Sequence, residues 1–143
     1  MDRLAFRIFD PSSKTFIYSG STPTMLSSYF ATTAVLVTAY RMKHQQFTNL
    51  HDKNGKEIYV GDITEIQAED GKLNRFIVKF GVIRRRMATG WLVDIPSFYF
   101  DLIGGDFKAF PIVENYKGVH DLIMMKIIGN VYEHSDLQYR KGV

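Results

Sequence analysis

Leu4, Phe6 and Ile8 alternate with Arg3, Ala5 and Arg7, the turn residues Asp10-Pro11-Ser12-Ser13-Lys14 follow, and a second apolar run, Phe16-Ile17-Tyr18, comes next. Period-two patterning interrupted by turn formers predicts a β-hairpin. Thr22 ahead of Pro23 is an N-cap and first-turn pair, which predicts a short helix starting near Met25. Residues 34–40 are rich in β-branched side chains, so the helix is expected to stop near Thr32 and give way to a strand.

From Gln46 the pattern is strand, turn, strand. Asp52 can bond backbone amides two residues on, and Asn54-Gly55 supplies the positive φ angles of a tight turn. Gly61-Asp62 is a second punctuation, because glycine permits a backbone conformation closed to other residues and aspartate accepts otherwise unpaired N–H groups. A turn at Glu69-Asp70-Gly71 leads into an amphipathic strand over 75–80, with Phe76, Val78 and Phe80 on one face and Arg75 and Lys79 on the other. Two extended segments, 91–95 and 98–102, are expected on either side of Pro96, which lacks a ladder donor and suits a strand end. Gly104-Gly105 closes that region. An apolar run over 122–128 precedes a break at Gly129-Asn130, and 133–137 reads as a helical turn. Many short strands with regular turns predict a mainly β barrel or sandwich with one or two short helices. No repeat or linker divides the chain, so residues 1–143 are expected to form one domain.

Composition sharpens this picture. Aromatic residues reach 14%, with 11 Phe and 8 Tyr, and such side chains favour pleated surfaces. With 45% hydrophobic and 23% charged residues over 143 positions, the chain can bury a core of its own. The lack of cysteine excludes disulfides, thiolate zinc sites and a cysteine nucleophile, and is compatible with a reducing compartment. Charges among the first seven residues argue against an export signal. The apolar tract 25–40 is shorter than the ~20 residues of a membrane span and contains Ser27, Ser28, Thr32 and Thr33, so it is expected to be core. A cytoplasmic protein is the expectation.

Charge is unevenly distributed. The net charge is +3, from 18 Lys and Arg against 15 Asp and Glu. Residues 71–93 hold six basic side chains (Lys72, Arg75, Lys79, Arg84, Arg85, Arg86) and no acid, leaving 12 basic against 15 acidic elsewhere. With Trp91 and Phe80 nearby, the arginines could meet phosphates and stack on bases, so the segment 72–91 is a candidate nucleic-acid site. The simpler explanation is a solvated edge whose like charges oppose strand-to-strand aggregation.

Catalytic equipment is not evident. Gly55 and Gly61 follow a turn and lack the strand-to-helix context of a phosphate loop, and Asp62 has no adjacent acid–base partner. His44, His51, His120 and His134 are scattered without metal-ligand spacing. His120 and Asp121 are adjacent, which in a strand sends them to opposite faces. No GxSxG motif occurs. Neither a catalytic residue, a metal nor a cofactor is expected; an enzyme with carboxylates assembled from distant residues is the last-ranked alternative.

The stretch Gln46-Phe47-Thr48-Asn49-Leu50-His51-Asp52-Lys53-Asn54-Gly55-Lys56-Glu57-Ile58-Tyr59-Val60-Gly61-Asp62-Ile63 resembles the signature segment of the YopX family, proteins encoded by phages and prophages. Residues 3–10 are similar to that family's opening strand, and Ile127-Ile128-Gly129-Asn130-Val131-Tyr132-Glu133 to its closing motif. Asn49 departs from the family's usual glycine and Ser135 from a common proline, and residues 19–43 and 83–118 match nothing recognisable. The resemblance implies a small SH3-like barrel capped by helix, the fold-signature turns Asp52, Asn54, Gly55, Gly61, Asp62, Gly129 and Asn130, an origin in a phage or prophage, and self-association. It implies no known reaction. The function expected is that of a non-catalytic accessory protein in the bacterial host cytoplasm. It would work as a homo-oligomer or on an unknown protein partner, through exposed aromatics of the two unmatched regions, with no membrane role. Nucleic-acid binding through 72–91 is the alternative.

Overall fold

The computed structural model of the chain describes residues 3–67, 70–109 and 125–138. Strands β1 (Phe6–Asp10) and β2 (Thr15–Tyr18) form the first hairpin, closed by Asp10, whose carbonyl accepts from Lys14 N and whose carboxylate accepts from Ser12 N. Helix α1 (Pro23–Thr32) begins at Thr22, whose hydroxyl accepts from Met25 N at 3.2 Å, the N-cap read from the sequence. Then come α2 (Ala34–Thr38), β3 (Gln45–His51), β4 (Glu57–Tyr59), β5 (Asp62–Gln67), β6 (Leu73–Arg86), β7 (Leu92–Leu102), β8 (Lys108–Ala109) and β9 (Lys126–Asn130). A 3₁₀ turn, Ser135–Gln138, follows. Glu69, His120, Asp121 and residues 122–124 of the expected apolar run lie outside the described residues.

The protein is mainly β with two short helices. One sheet has the order β2-β1-β3-β4 and the other β8-β7-β6-β5-β9. The chain passes between them at Val60 and Gly61: Val60 N donates to Gln46 O in the first sheet, Gly61 N to Val78 O in the second. The result is a curled half-barrel, compatible with the barrel that the family resemblance implies. Its main core joins Ile58, Phe76, Val78, Phe100 and Met125, and a smaller cluster joins Ala5, Phe47 and Tyr59. Each Ile, Val, Phe or Met side chain among them contributes about 1.5–3 kcal/mol on leaving water.

Four sequence expectations are corrected. Residues 34–40 do not form a strand, because Thr33, fully buried, bonds Tyr29 O through both its amide and its hydroxyl and carries the chain directly into α2. Tertiary context overrides the strand propensity of this β-branched run. Nor is the tract 25–40 core: Met25, Phe30, Val35, Val37 and Tyr40 are exposed, and only Tyr29 and Thr33 are buried within it. The two segments around Pro96 are one strand, β7, in which Pro96 faces Val82. Pairing with β8 involves only Phe100 and Asp101, so Pro96 sits on an edge where its missing N–H costs no ladder bond. Finally, Gly129 and Asn130 end β9 and do not interrupt it, pairing with Ile63 and Asp62.

At Asn49 the backbone is left-handed, with φ 64, in the irregularity between the Phe47–Tyr59 and His51–Glu57 pairs. Asparagine tolerates this better than other side chains and here also accepts from Arg3 N at 2.7 Å, which a glycine could not do.

Candidate functional site

β6 has 14 residues, yet its ladder to β5 spans only Leu73 to Ile77. Together with β8's short pairing on β7, this leaves residues 79–99 as a two-stranded ribbon extending beyond both neighbours. Period two then decides what each face carries. On one face the core pairs Phe76–Leu102 and Val78–Phe100 are followed by Phe80–Phe98, Val82–Pro96, Arg84–Asp94 and Arg86–Leu92. Phe80 is 58% exposed and Val82 64%, and the Phe80 and Phe98 rings meet edge to face at 5.1 Å. The apolar stripe of the core therefore continues into solvent. On the opposite face Ile83 is buried at 3%. Met87, Trp91 and Leu92 are exposed around the tip.

The basic segment lies on the same ribbon, but folding divides it. Arg75, Lys79 and Arg85 point to one face, Arg84 and Arg86 to the other. Acids distant in sequence meet several of them: Arg75 Nε donates to Glu65 Oε2 at 3.0 Å, Lys79 Nζ to Asp101 Oδ2 at 2.7 Å, and Arg84 grips Asp94 with two bonds of 2.8 and 3.1 Å. Arg85 bonds Lys108 O, and Arg86 Nη1 reaches Gly90 O at 3.4 Å. Lys72 is exposed beside the Asp70 turn, and Trp91 is 73% exposed at the tip. The positive excess seen along the sequence is therefore partly neutralised in space, and no single face gathers all seven residues.

The signature turns, in contrast, converge. Asp52 is buried; its Oδ1 accepts from Asn54 N and Lys56 N, and its Oδ2 from Ile127 N, each at 2.9 Å, so it ties the Asn54-Gly55 turn to β9. Asp62 Oδ2 accepts from Tyr59 N at 2.8 Å, and its Oδ1 accepts from Arg7 Nη2 at 2.6 Å. Gly61 has φ 94 and a Cβ there would lie 1.9 Å from Gln45 Nε2, so only glycine fits. Asn130 Oδ1 accepts from Tyr132 N and Glu133 N. Gly129 leaves room for His134, whose Nδ1 would be 2.7 Å from an added Cβ.

Sequence reasoning missed Arg7. The opening alternation would put it outside with Arg3; instead it is 4% exposed, its guanidinium carbon 4.1 Å from the Phe16 ring centroid and 4.7 Å from that of Tyr59. No local signal marks it, since Asp62, Gln45 and Tyr59 come from other strands. Burial pushes the Asp62 carboxyl up, opposed by the Arg7 charge and the Tyr59 amide. Burial, with Glu57 beside it, pushes the Tyr59 phenol up to about 12. Among the described residues no group of His, Asp and Glu could hold a metal ion, and no helix is long and apolar enough to cross a membrane.

The YopX protein family matches residues 5–138, and the chain belongs to that family. No curated protein matches it.

Proposed function

We propose that this YopX-family chain is a non-catalytic accessory protein of a phage or prophage that works by self-association in the host cytoplasm, with the exposed face of the β6–β7 ribbon as its interface. The observation that carries this is the apolar stripe of Phe80, Val82, Pro96 and half-buried Phe98, continuous with the core, in which Phe80, Val82 and Pro96 are exposed. A two-stranded ribbon is marginal in water by itself, and an exposed apolar face on one gains stability from a second surface laid against it. The neighbouring Arg84–Asp94 pair is self-complementary, so a two-fold related copy would meet each charge with its opposite.

The two buried carboxylates among the described residues, Asp52 and Asp62, are committed to backbone and Arg7. Asp52 accepts three backbone amides, and both oxygens of Asp62 are engaged by Arg7 and Tyr59. This supports a binding role over a catalytic one.

Sedimentation equilibrium over a wide concentration range tests the assignment. Mass above that of one chain is expected for the parent protein, and Val82→Glu with Phe80→Ser should return it to the monomer without loss of the folded circular-dichroism spectrum. A parent protein that stays monomeric at high concentration would remove the ribbon face as a self-association surface.

A further inference from the structure

A cleft of about 420 Å³ opens where the two sheets meet, walled by Phe16 and Tyr18 on one side and by β9 on the other, with Arg7, Asp62, Lys56 and His134 on its lining. Its volume is within the range of about 300–1,000 Å³ typical of small-molecule sites. Arg7 is nine-tenths buried or more, yet it is not fully used. Nε donates to Gln45 Oε1 at 2.9 Å and Nη2 to Asp62 Oδ1, while Nη1 has no hydrogen-bond partner among the described residues. A guanidinium is shaped to hold an oxyanion through paired N–H groups.

The other polar groups are donors too. His134 Nδ1 accepts from Asn130 N at 3.3 Å, which puts the imidazole proton on Nε2. Lys56 is exposed and has no ion pair among the described residues. Of the two acids present, Asp62 is engaged as above, and Glu133 accepts through Oε2 from Asn130 Nδ2 at 3.1 Å. An entering anion therefore meets N–H groups of Arg7, Lys56 and His134, with Asp62 already held by Arg7 and Tyr59. Tyr18, 59% exposed, offers a ring face to whatever the anion is attached to.

We infer that this cleft binds the oxyanion group, a phosphate or a carboxylate, of a small molecule. Arg7 supplies a donor from the cleft lining, and Lys56 and His134 complete the grip.

Titration of the isotope-labelled full chain with inorganic phosphate, acetate and uridine monophosphate, at ionic strength balanced by chloride, tests this through the amide shifts of Lys56, Gly129 and Asn130. Saturable shifts are expected at those amides with at least one of the three. Lys56→Glu and His134→Phe each remove a donor without replacing Arg7 or Asp62 and should weaken binding roughly tenfold or more. Equal affinity for phosphate and the monophosphate would identify a free anion as the ligand, and tighter monophosphate binding an esterified one; both support the site. Absence of saturable shifts with all three ligands, or shifts that persist unchanged in both variants, would overturn it.

Discussion

Arg7 and Asp62, 55 positions apart, join the two sheets through an ion pair of 2.6 Å with side chains only 5% and 2% exposed. Two charges this deeply buried stabilise only as a pair, because each alone bears a desolvation cost that nothing offsets. Arg7→Met and Asp62→Ala should each lower unfolding free energy by roughly 3–5 kcal/mol, and the double variant should lose much less than the sum. Urea denaturation of the three proteins measures this, and additive losses would show that the two residues act independently.

Asp52 holds a turn and a distant strand with one carboxylate. Asp52→Ala strands three backbone donors and should cost at least about 1–3 kcal/mol, with the amides of Asn54, Lys56 and Ile127 losing hydrogen-exchange protection first. Protection that falls evenly across the chain would contradict this local role.

Thr64 is fully buried in β5, and its Oγ1 is the buried side-chain atom lacking a hydrogen-bond partner among the described residues. Thr64→Val keeps the shape and removes the unpaired hydroxyl, so the melting temperature should rise, by the equivalent of about 1 kcal/mol. A drop would mean that the hydroxyl has a partner in solution.

His44 Nδ1 and the Tyr29 hydroxyl share a hydrogen bond of 2.8 Å, and the imidazole packs against Phe6 and Phe30. Burial lowers its pKa, so between the folded value and the ordinary value of about 6.5 the unfolded chain binds more protons. Stability from this group is therefore complete above about pH 6.5 and declines as pH falls toward the folded pKa. Unfolding midpoints measured across this window should lose that slope in His44→Asn, while an unchanged slope would assign it to other groups.

Asp94 holds Arg84 on the open face of the ribbon. Asp94→Asn should leave stability almost unaltered and free a guanidinium for phosphate contact, so any binding to single-stranded DNA should increase, with a log–log salt slope steeper by roughly 0.7. Substituting Arg84, Arg85 and Arg86 together should then abolish it. Affinity indifferent to both changes would detach nucleic acid from this segment.

Local chemistry was legible in the residues. The Thr22 cap, the Asp10 and Asn54-Gly55 turns, the backbone-accepting roles of Asp52 and Asp62 and the alternation of β6 all depend on interactions within a few positions. The apolar ribbon face was half legible: Phe76, Val78 and Phe80 share one side by parity alone. That Phe80 would stand in water while Val78 is buried depends on where β5 and β8 stop pairing.

A mainly β chain, its first hairpin, the cap of its first helix and the turns that mark the family followed from the residues alone, because short-range sterics and hydrogen bonding specify these wherever the segment lies. Tertiary packing decided that residues 34–38 are helical, that Arg7 turns inward, and that Lys79 and Arg84 find Asp101 and Asp94. Those outcomes are set by partners brought from 22 or 55 residues away, or from the facing strand of a hairpin, and by whether water or protein covers a face. No local pattern encodes that.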